Sequence, residues 1–349
     1  MKMRQRFRWI AVGLIAMLTL GVFPFSGELA AGEKITFMTG WILYGRDMAW
    51  FTAMDKGYFR QEGVNVSIIR GYGGGGTAKS LVGKGVEIAG LDPGNLLRLR
   101  AKGSAFKAVS TWYDLAPYAI LTLDGSPIKS LKDLEGRSLG TPSYDSTWSV
   151  FPAVAKMNNF DLKKIKQVEV APAVRDAGLL AGNYDASTNF VTSFPLVFKA
   201  AAKQGKKVRF FILAKHGLDI YGNSIVTSEK FIRERTAELR GFLKAALRGA
   251  AYAIEHPDEA ADILLKYVPA GDREANRQTW DLTVDLWLTS DAKRMGLGHM
   301  VKEKWARTRD ILTGTLKIPV VVPTEDLYTN EFLPKVFPKR GPRVFPAVF

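Results

Sequence analysis

Between Gly71 and Asp92 the chain reads GYGGGGTAKSLVGKGVEIAGLD, with an apolar run ending Val66-Ser67-Ile68-Ile69 before it. Glycines permit positive φ and close backbone approach, so bare N–H groups in such a turn can face a ligand with a helix dipole behind them. Gly71, Gly73 and Gly76 spell G-x-G-x-x-G, and Asp92 lies where a dinucleotide fold keeps its ribose-binding acid. Gly73 to Ser80 is one substitution from a phosphate-cradling P-loop, with Ala78 in place of the second glycine. A run of glycines meets either pattern cheaply, and the plain alternative is a flexible turn between strand and helix.

Other chemistries are excluded more firmly. The chain has no cysteine, hence no disulfide framework, thiolate nucleophile or lipidated cysteine. His216, His256 and His299 are too far apart to show metal-ligand spacing, so neither a metal nor a cofactor is expected. Lys2, Arg4, Arg6 and Arg8 precede an apolar run from Trp9 to Phe25 and small residues at Ala30-Ala31, the pattern of a secretory leader over residues 1–31. The formal net charge of +15 suits an anionic ligand or an acidic partner surface, and export to the periplasm argues against nucleic acid.

The elements that must position these residues alternate. Lys34 to Met38 predicts a first strand with Trp41 and Tyr44 in its exit loop, then a helix capped by Asp47 and ending at Gly57. A helix is expected to open near Thr77, and Asp92 with Pro93 marks an N-cap and first helical position. Lys107 to Trp112 predicts a strand that delivers Trp112 and Tyr113. A short strand at Ser138 to Thr141 leads to Ser143, Tyr144 and Asp145, with Ser146 or Thr147 capping the next helix. Short strands alternating with helices imply an α/β fold with largely parallel sheets, whose ligands sit beyond the strands' C-terminal ends. Beyond residue 229 the pattern is helical, with Trp280 and Trp287 on one face, and the basic, proline-rich tail from Pro334 reads as loose or lying on the surface.

AMDKGYFRQEGVNVSI, the glycine turn, LVGKGVEIAGLD, KSLKDLEGRSLGTPSYDS, GNYDASTNF and YGNSIVTS, in this order from about Ile35 to Tyr267, resemble the periplasmic substrate-binding proteins of the sulfonate/nitrate/taurine and thiamine-pyrimidine-precursor type. The resemblance implies a type II periplasmic-binding-protein fold: two α/β lobes joined by two extended crossovers, closing on a small molecule in a central cleft. It places lobe one at 33–121 and 222–330, lobe two at 122–221, and a tail at 331–349, with crossovers near Tyr118 to Leu121 and Tyr221 to Ile225. Carried over position by position, ligand contacts fall on Trp41, Tyr44, Gly74, Gly75, Gly76, Thr77, Asp92, Trp112 and Tyr113. They continue on Ser143, Tyr144, Asp145, Asp185, Asn189, Phe190, Tyr221 and Asn223.

Flat rings flanking amides and carboxylates suit a planar polar heterocycle such as a pyrimidine, stacked on the aromatics with Asp92 or Asp185 accepting from an amino group. The alternative is an alkanesulfonate, taurine, nitrate or aromatic acid on the glycine turn and Ser143 to Thr147. The implied partner is the permease of an ABC import system with its cytoplasmic ATPase, the binding protein itself acting as a monomer. A ligand-presenting sensor and an NAD-dependent enzyme are the readings from other classes. A branch of the wider family makes the thiamine pyrimidine with a cysteine-rich motif, and the lack of cysteine predicts that this chain is not an enzyme.

Overall fold

The computed structural model describes residues 33–347, apart from Lys84, Tyr144 and Val320; the leader over residues 1–31 lies outside the described residues. Among the described residues ten strands form two five-stranded sheets: β1 (Ile35–Met38), β2 (Val66–Ile69), β3 (Ile88–Leu91), β4 (Phe106–Thr111), β5 (Tyr118–Leu123), β6 (Ser138–Pro142), β7 (Lys166–Val170), β8 (Ala186–Phe190), β9 (Val208–Ile212) and β10 (Ser224–Ser228). The first sheet has the order β2-β1-β3-β10-β4 and the second β7-β6-β8-β5-β9. β1 runs parallel to β2 and β3, and β6 parallel to β7 and β8. In each sheet one strand runs antiparallel to both its neighbours and arrives after the chain has crossed over, β10 between β3 and β4, and β5 between β8 and β9.

Tyr118 to Leu121, expected as a crossover, pairs along its length with β8 and β9. Its nearly continuous apolar run is that of a strand buried on both faces. The crossing segments are Trp112–Pro117 and Leu213–Asn223, and they run side by side. The amides of Trp112 and Tyr113 both donate to the Asn223 carbonyl at 2.9 Å, Gly222 N–H donates to Tyr113 O, and Ala116 N–H to Ile220 O. Two adjacent strands of chain that satisfy each other's backbone groups can flex together without exposing unpaired amides.

The core under the first sheet is aromatic. Trp50, on the helix Met48–Asp55, lies with ring centroids 5.4 Å from Phe37, 5.0 Å from Trp112 and 5.6 Å from Trp287. The helical region separates at Arg235 and His256 into Glu229–Glu234, Thr236–Glu255 and Pro257–Tyr267, and Trp280 and Trp287 are both buried on Arg273–Trp287.

The tail is docked. Arg340 and Arg343 pair with Asp285 at 2.6 Å, Gly341 N–H donates to Ile254 O, and the amides of Val344 and Phe345 donate to Asp281. Phe345 then meets Phe198, on the helix Phe194–Ala202 beside the second sheet. Asp285→Ala removes the shared partner of two half-buried arginines and is expected to cost about 1–2 kcal/mol. Limited trypsin digestion checks it, and unchanged cleavage at Arg340 and Arg343 would show that the pairs do not hold the tail.

Candidate functional site

The loops after β1 and β2 are tied together before any side chain is considered: Gly71 N–H donates to Trp41 O at 2.9 Å and Gly73 N–H to Gly40 O at 3.1 Å. Gly73, at φ 86°, turns the chain, and the helix begins at Gly74, three residues earlier than expected, so Gly74, Gly75 and Gly76 are its first turn (Gly74–Val82). A Cβ on Gly74 would stand 2.1 Å from Asp92 Oδ2, 2.5 Å from Asn95 Nδ2 and 2.6 Å from Ser146 Oγ. Three helix N-termini therefore meet here: Gly74–Val82, Pro93–Ala101 and, from the second sheet, Ser146–Met157. Each contributes partial positive charge.

Asp92 is the resident anion of that junction. It accepts from Asn95 N–H (3.0 Å), Asn95 Nδ2 (2.8 Å) and, across the cleft, Ser146 Oγ (2.8 Å). The cap expected of it and a link between the two halves are thus the same carboxylate. Asp92→Ala is expected to cost about 2 kcal/mol through the lost cap and the stranded donors. Urea unfolding measures it, and a loss of ligand affinity with unaltered stability would contradict this placement.

A cavity between the sheets is lined by Gly40, Trp41, Tyr44, Arg46, Gly73 and Gly74 from the first, by Asp145, Ser146, Arg175, Phe190 and Ser193 from the second, and by Asn223 from the crossover. It encloses about 30 Å³. Sites for small organic ligands hold roughly 300–1,000 Å³, so the two halves are drawn together. Side chains bond across the gap: Tyr44 OH to Thr192 Oγ1 at 2.8 Å, Thr279 Oγ1 to the Thr192 carbonyl at 3.0 Å, and Lys199 to Asp272 at 2.5 Å.

Of the residues expected at the ligand, Trp41, Tyr44, Gly74, Asp145, Phe190 and Asn223 line this cavity. Gly75 and Ser143 line an adjoining groove of about 730 Å³. Gly76 and Thr77 lie further along the glycine helix, Thr77 buried. Trp112 and Tyr113 are fully buried beneath the cavity wall, Trp112 under Arg46 and against Trp50. Tyr221 is buried too, its hydroxyl accepting from Val301 N–H. Asn189 is buried and donates to Asp176.

Asp185 lies before β8, not after it, bonded to Ser138 at the start of β6. Strands advance about 3.3 Å per residue, which puts it roughly 17 Å along the strand from Phe190, at the opposite end of β8. Tyr144 lies outside the described residues. Asp145, not Ser146 or Thr147, caps the next helix, accepting from Trp148 N–H at 2.8 Å.

Two residues that the sequence reading missed dominate the cavity's electrostatics. Arg46 is 1 % exposed, its guanidinium 5.1 Å from the Tyr44 ring centroid and 5.3 Å from that of Trp112. Burial opposes its charge, but Tyr44, Tyr113 and Asp47 hold it protonated, and burial pushes the Asp47 carboxyl up to about 6. Arg175 faces it from the other half, its Nε and Nη2 held by Asp176 at 2.8 and 3.3 Å. Burial raises the Asp145 carboxyl above the usual range. Arg46 follows the exit loop of β1, where ligand contacts were expected; Arg175 follows β7, whose turn carries no glycine or aromatic signal. Among the described residues no cluster of acids and histidines is placed to hold a metal ion.

The sequence profile described as "NMT1/THI5 like" matches residues 47–260, more than half the chain. The chain belongs to the NMT1/THI5-like family. One relative in this family, a riboflavin-binding protein of Chloroflexus aurantiacus, is 26 % identical over 313 residues, covering 86 % of each chain. The solved structure of the periplasmic aliphatic sulphonate binding protein SsuA of Escherichia coli superposes with a TM-score of 0.62 at 15 % identity, covering 84 % of this chain and 96 % of that one. The fold of the NMT1/THI5-like chain is thereby the periplasmic-binding-protein fold.

A third relative corrects the sequence reading. The 4-amino-5-hydroxymethyl-2-methylpyrimidine phosphate synthase of Legionella pneumophila is 22 % identical over 240 residues, covering 68 % of this chain and 74 % of that protein. Proteins of the same name occur among the relatives from Candida albicans and Saccharomyces cerevisiae. The expectation that this chain is not an enzyme, drawn from its missing cysteines, is overturned by these enzyme relatives. The relatives of this chain include synthases as well as binding proteins.

Proposed function

We propose that the protein is a solute-binding component of an ABC import system, exported by its leader. It closes two sheet-centred lobes on a small planar polar molecule and presents the closed form to a membrane permease. The observation that carries this reading is the cavity itself, lined from both sheets and spanned by side-chain bonds, with paired crossovers beside it as the hinge. A ligand that touches both halves stabilises the closed state alone, and that difference is what a receptor can read. No helix among the described residues is long and apolar enough to cross a membrane.

Trp41, Tyr44 and Phe190 offer flat apolar faces, and Gly40, Gly73 and Gly74 a wall without side chains. Such a slot suits a planar heterocycle. A relative named for riboflavin, itself a planar heterocycle, supports the same class. Thermal-shift measurements against pyrimidines, flavins, aromatic acids, alkanesulfonates, taurine and nitrate test it. A rise in melting temperature with ring compounds is expected, and a rise with ring-less anions alone would refute the planar reading.

A further inference from the structure

We propose that Arg46 and Arg175 form a two-sided receptor for an oxyanion, so that the ligand of the cleft is a planar ring bearing a carboxylate, sulfonate or phosphate group. The inference rests on the solute-binding reading above and names the class of solute.

Arg46 is the buried donor of the site with capacity to spare. Its Nε and Nη2 have no hydrogen-bond partner, and its nearest acid, Asp47, is 3.7 Å from Nε. The rings of Tyr44 and Trp112 pack near the guanidinium, their centroids 5.1 and 5.3 Å from its carbon, and its N–H donors point outward in the plane of the group. One edge reaches the cavity: Nη2 stands 3.8 Å from where a Cβ on Gly40 would be, and Asn223 Nδ2 stands 2.6 Å from that point. Two donors thus converge on the side-chain-free wall formed by Gly40, with the Gly90 carbonyl oxygen 3.1 Å from the same point.

Apart from Asp47, which pairs with Nε at 3.7 Å, the carboxylates nearby are engaged by other groups. Asp92 is engaged by Asn95 and Ser146, Asp145 by the Trp148 amide, and Asp176 by Arg175 and Asn189. A buried guanidinium with unused donors is costly unless an acceptor meets it, and a charged acceptor with several oxygens meets it best. The planar fork of arginine matches such a group in two bonds at once. Arg175 faces the same cavity from the second half, fixed in place by Asp176, so one oxyanion between the two cations would also draw the halves together.

Calorimetric titration of the purified protein with matched pairs tests this: benzoate against benzamide, nicotinate against nicotinamide, benzenesulfonate against benzenesulfonamide. Phenyl phosphate is added as the third kind of oxyanion. In at least one pair the acid is expected to bind about tenfold tighter or more than its neutral isostere. Arg46→Gln and Arg175→Gln are each expected to remove the preference. Should Arg46→Gln fail to fold, the pairs on the unaltered protein and on Arg175→Gln decide the matter. Neutral isosteres that bind as tightly as the acids, or no binding by any of the set, would overturn the receptor while leaving the solute-binding reading to the broader thermal-shift panel. Acetate, sulfate or phosphate binding as tightly as the ring acids would uphold the receptor and refute the planar class.

Discussion

Gly74→Val is expected to abolish ligand capture and to lower the unfolding free energy by about 3 kcal/mol or more. The added Cβ would overlap Asp92, Asn95 and Ser146, at 2.1, 2.5 and 2.6 Å. Two of these belong to the cap of Pro93–Ala101 in the same sheet unit, so opening the cleft relieves only the Ser146 contact. The variant must displace the cap or move its own helix. Either movement shifts the glycine wall of the cavity, and the closed arrangement, with its bond from Ser146 to Asp92, is lost. Affinity should fall about a hundredfold or more, since the competent closed state becomes a minor one. Urea unfolding and titration with the tightest compound of the panel measure the two effects. A Gly74→Val protein of unchanged stability and affinity would show that the junction tolerates a side chain.

The second large effect concerns pH. Asp114, in the Trp112–Pro117 crossover, is 1 % exposed, and burial pushes its carboxyl up to about 7, with the Thr289 hydroxyl and Lys304 pulling it part of the way back. One of its oxygens has no partner. In the unfolded chain an aspartate titrates near about 3.9. Between these values the folded protein holds a proton that the unfolded chain has released, so this group's contribution to stability is present at low pH and is lost as pH rises through about 7. Asp47, pushed up to about 6, acts in the same direction. Unfolding free energy measured in urea should be lower at pH 8 than at pH 5 by on the order of 2 kcal/mol. Asp114→Asn keeps the shape and an oxygen for Thr289, and should flatten most of that slope. A slope that survives Asp114→Asn would place its origin elsewhere.

The sequence carried the order of strands and helices because each strand is a short apolar run closed by glycine, proline or a capping residue. Asp92 before Pro93 is the clearest case, and it caps its helix as expected. The glycine helix was hidden for an energetic reason: glycine is among the poorest helix formers, and the contacts that require it, Asp92, Asn95 and Ser146 around Gly74 and Tyr72 beside Gly76, leave no mark in the local sequence. Asp185 and Phe190 read as neighbours in a list, yet they end one strand in opposite directions. Arg46 and Arg175 could not be told from surface arginines: Tyr44, Asp47 and Asp176 are their neighbours in the chain, but Trp112 and Tyr113 beside Arg46, and Asn189 beside Asp176, come from distant segments and fix no spacing. The tail read as loose or lying on the surface, and the choice was not legible because its anchors, Asp281 and Asp285, lie about sixty residues upstream.

The narrowness of the cavity has a kinetic side. With about 30 Å³ enclosed and Tyr44 bonded to Thr192 across the gap, no ring can enter before the halves part. Capture is then gated by opening: the observed association rate should rise with ligand concentration only until it reaches the opening rate, and level off there.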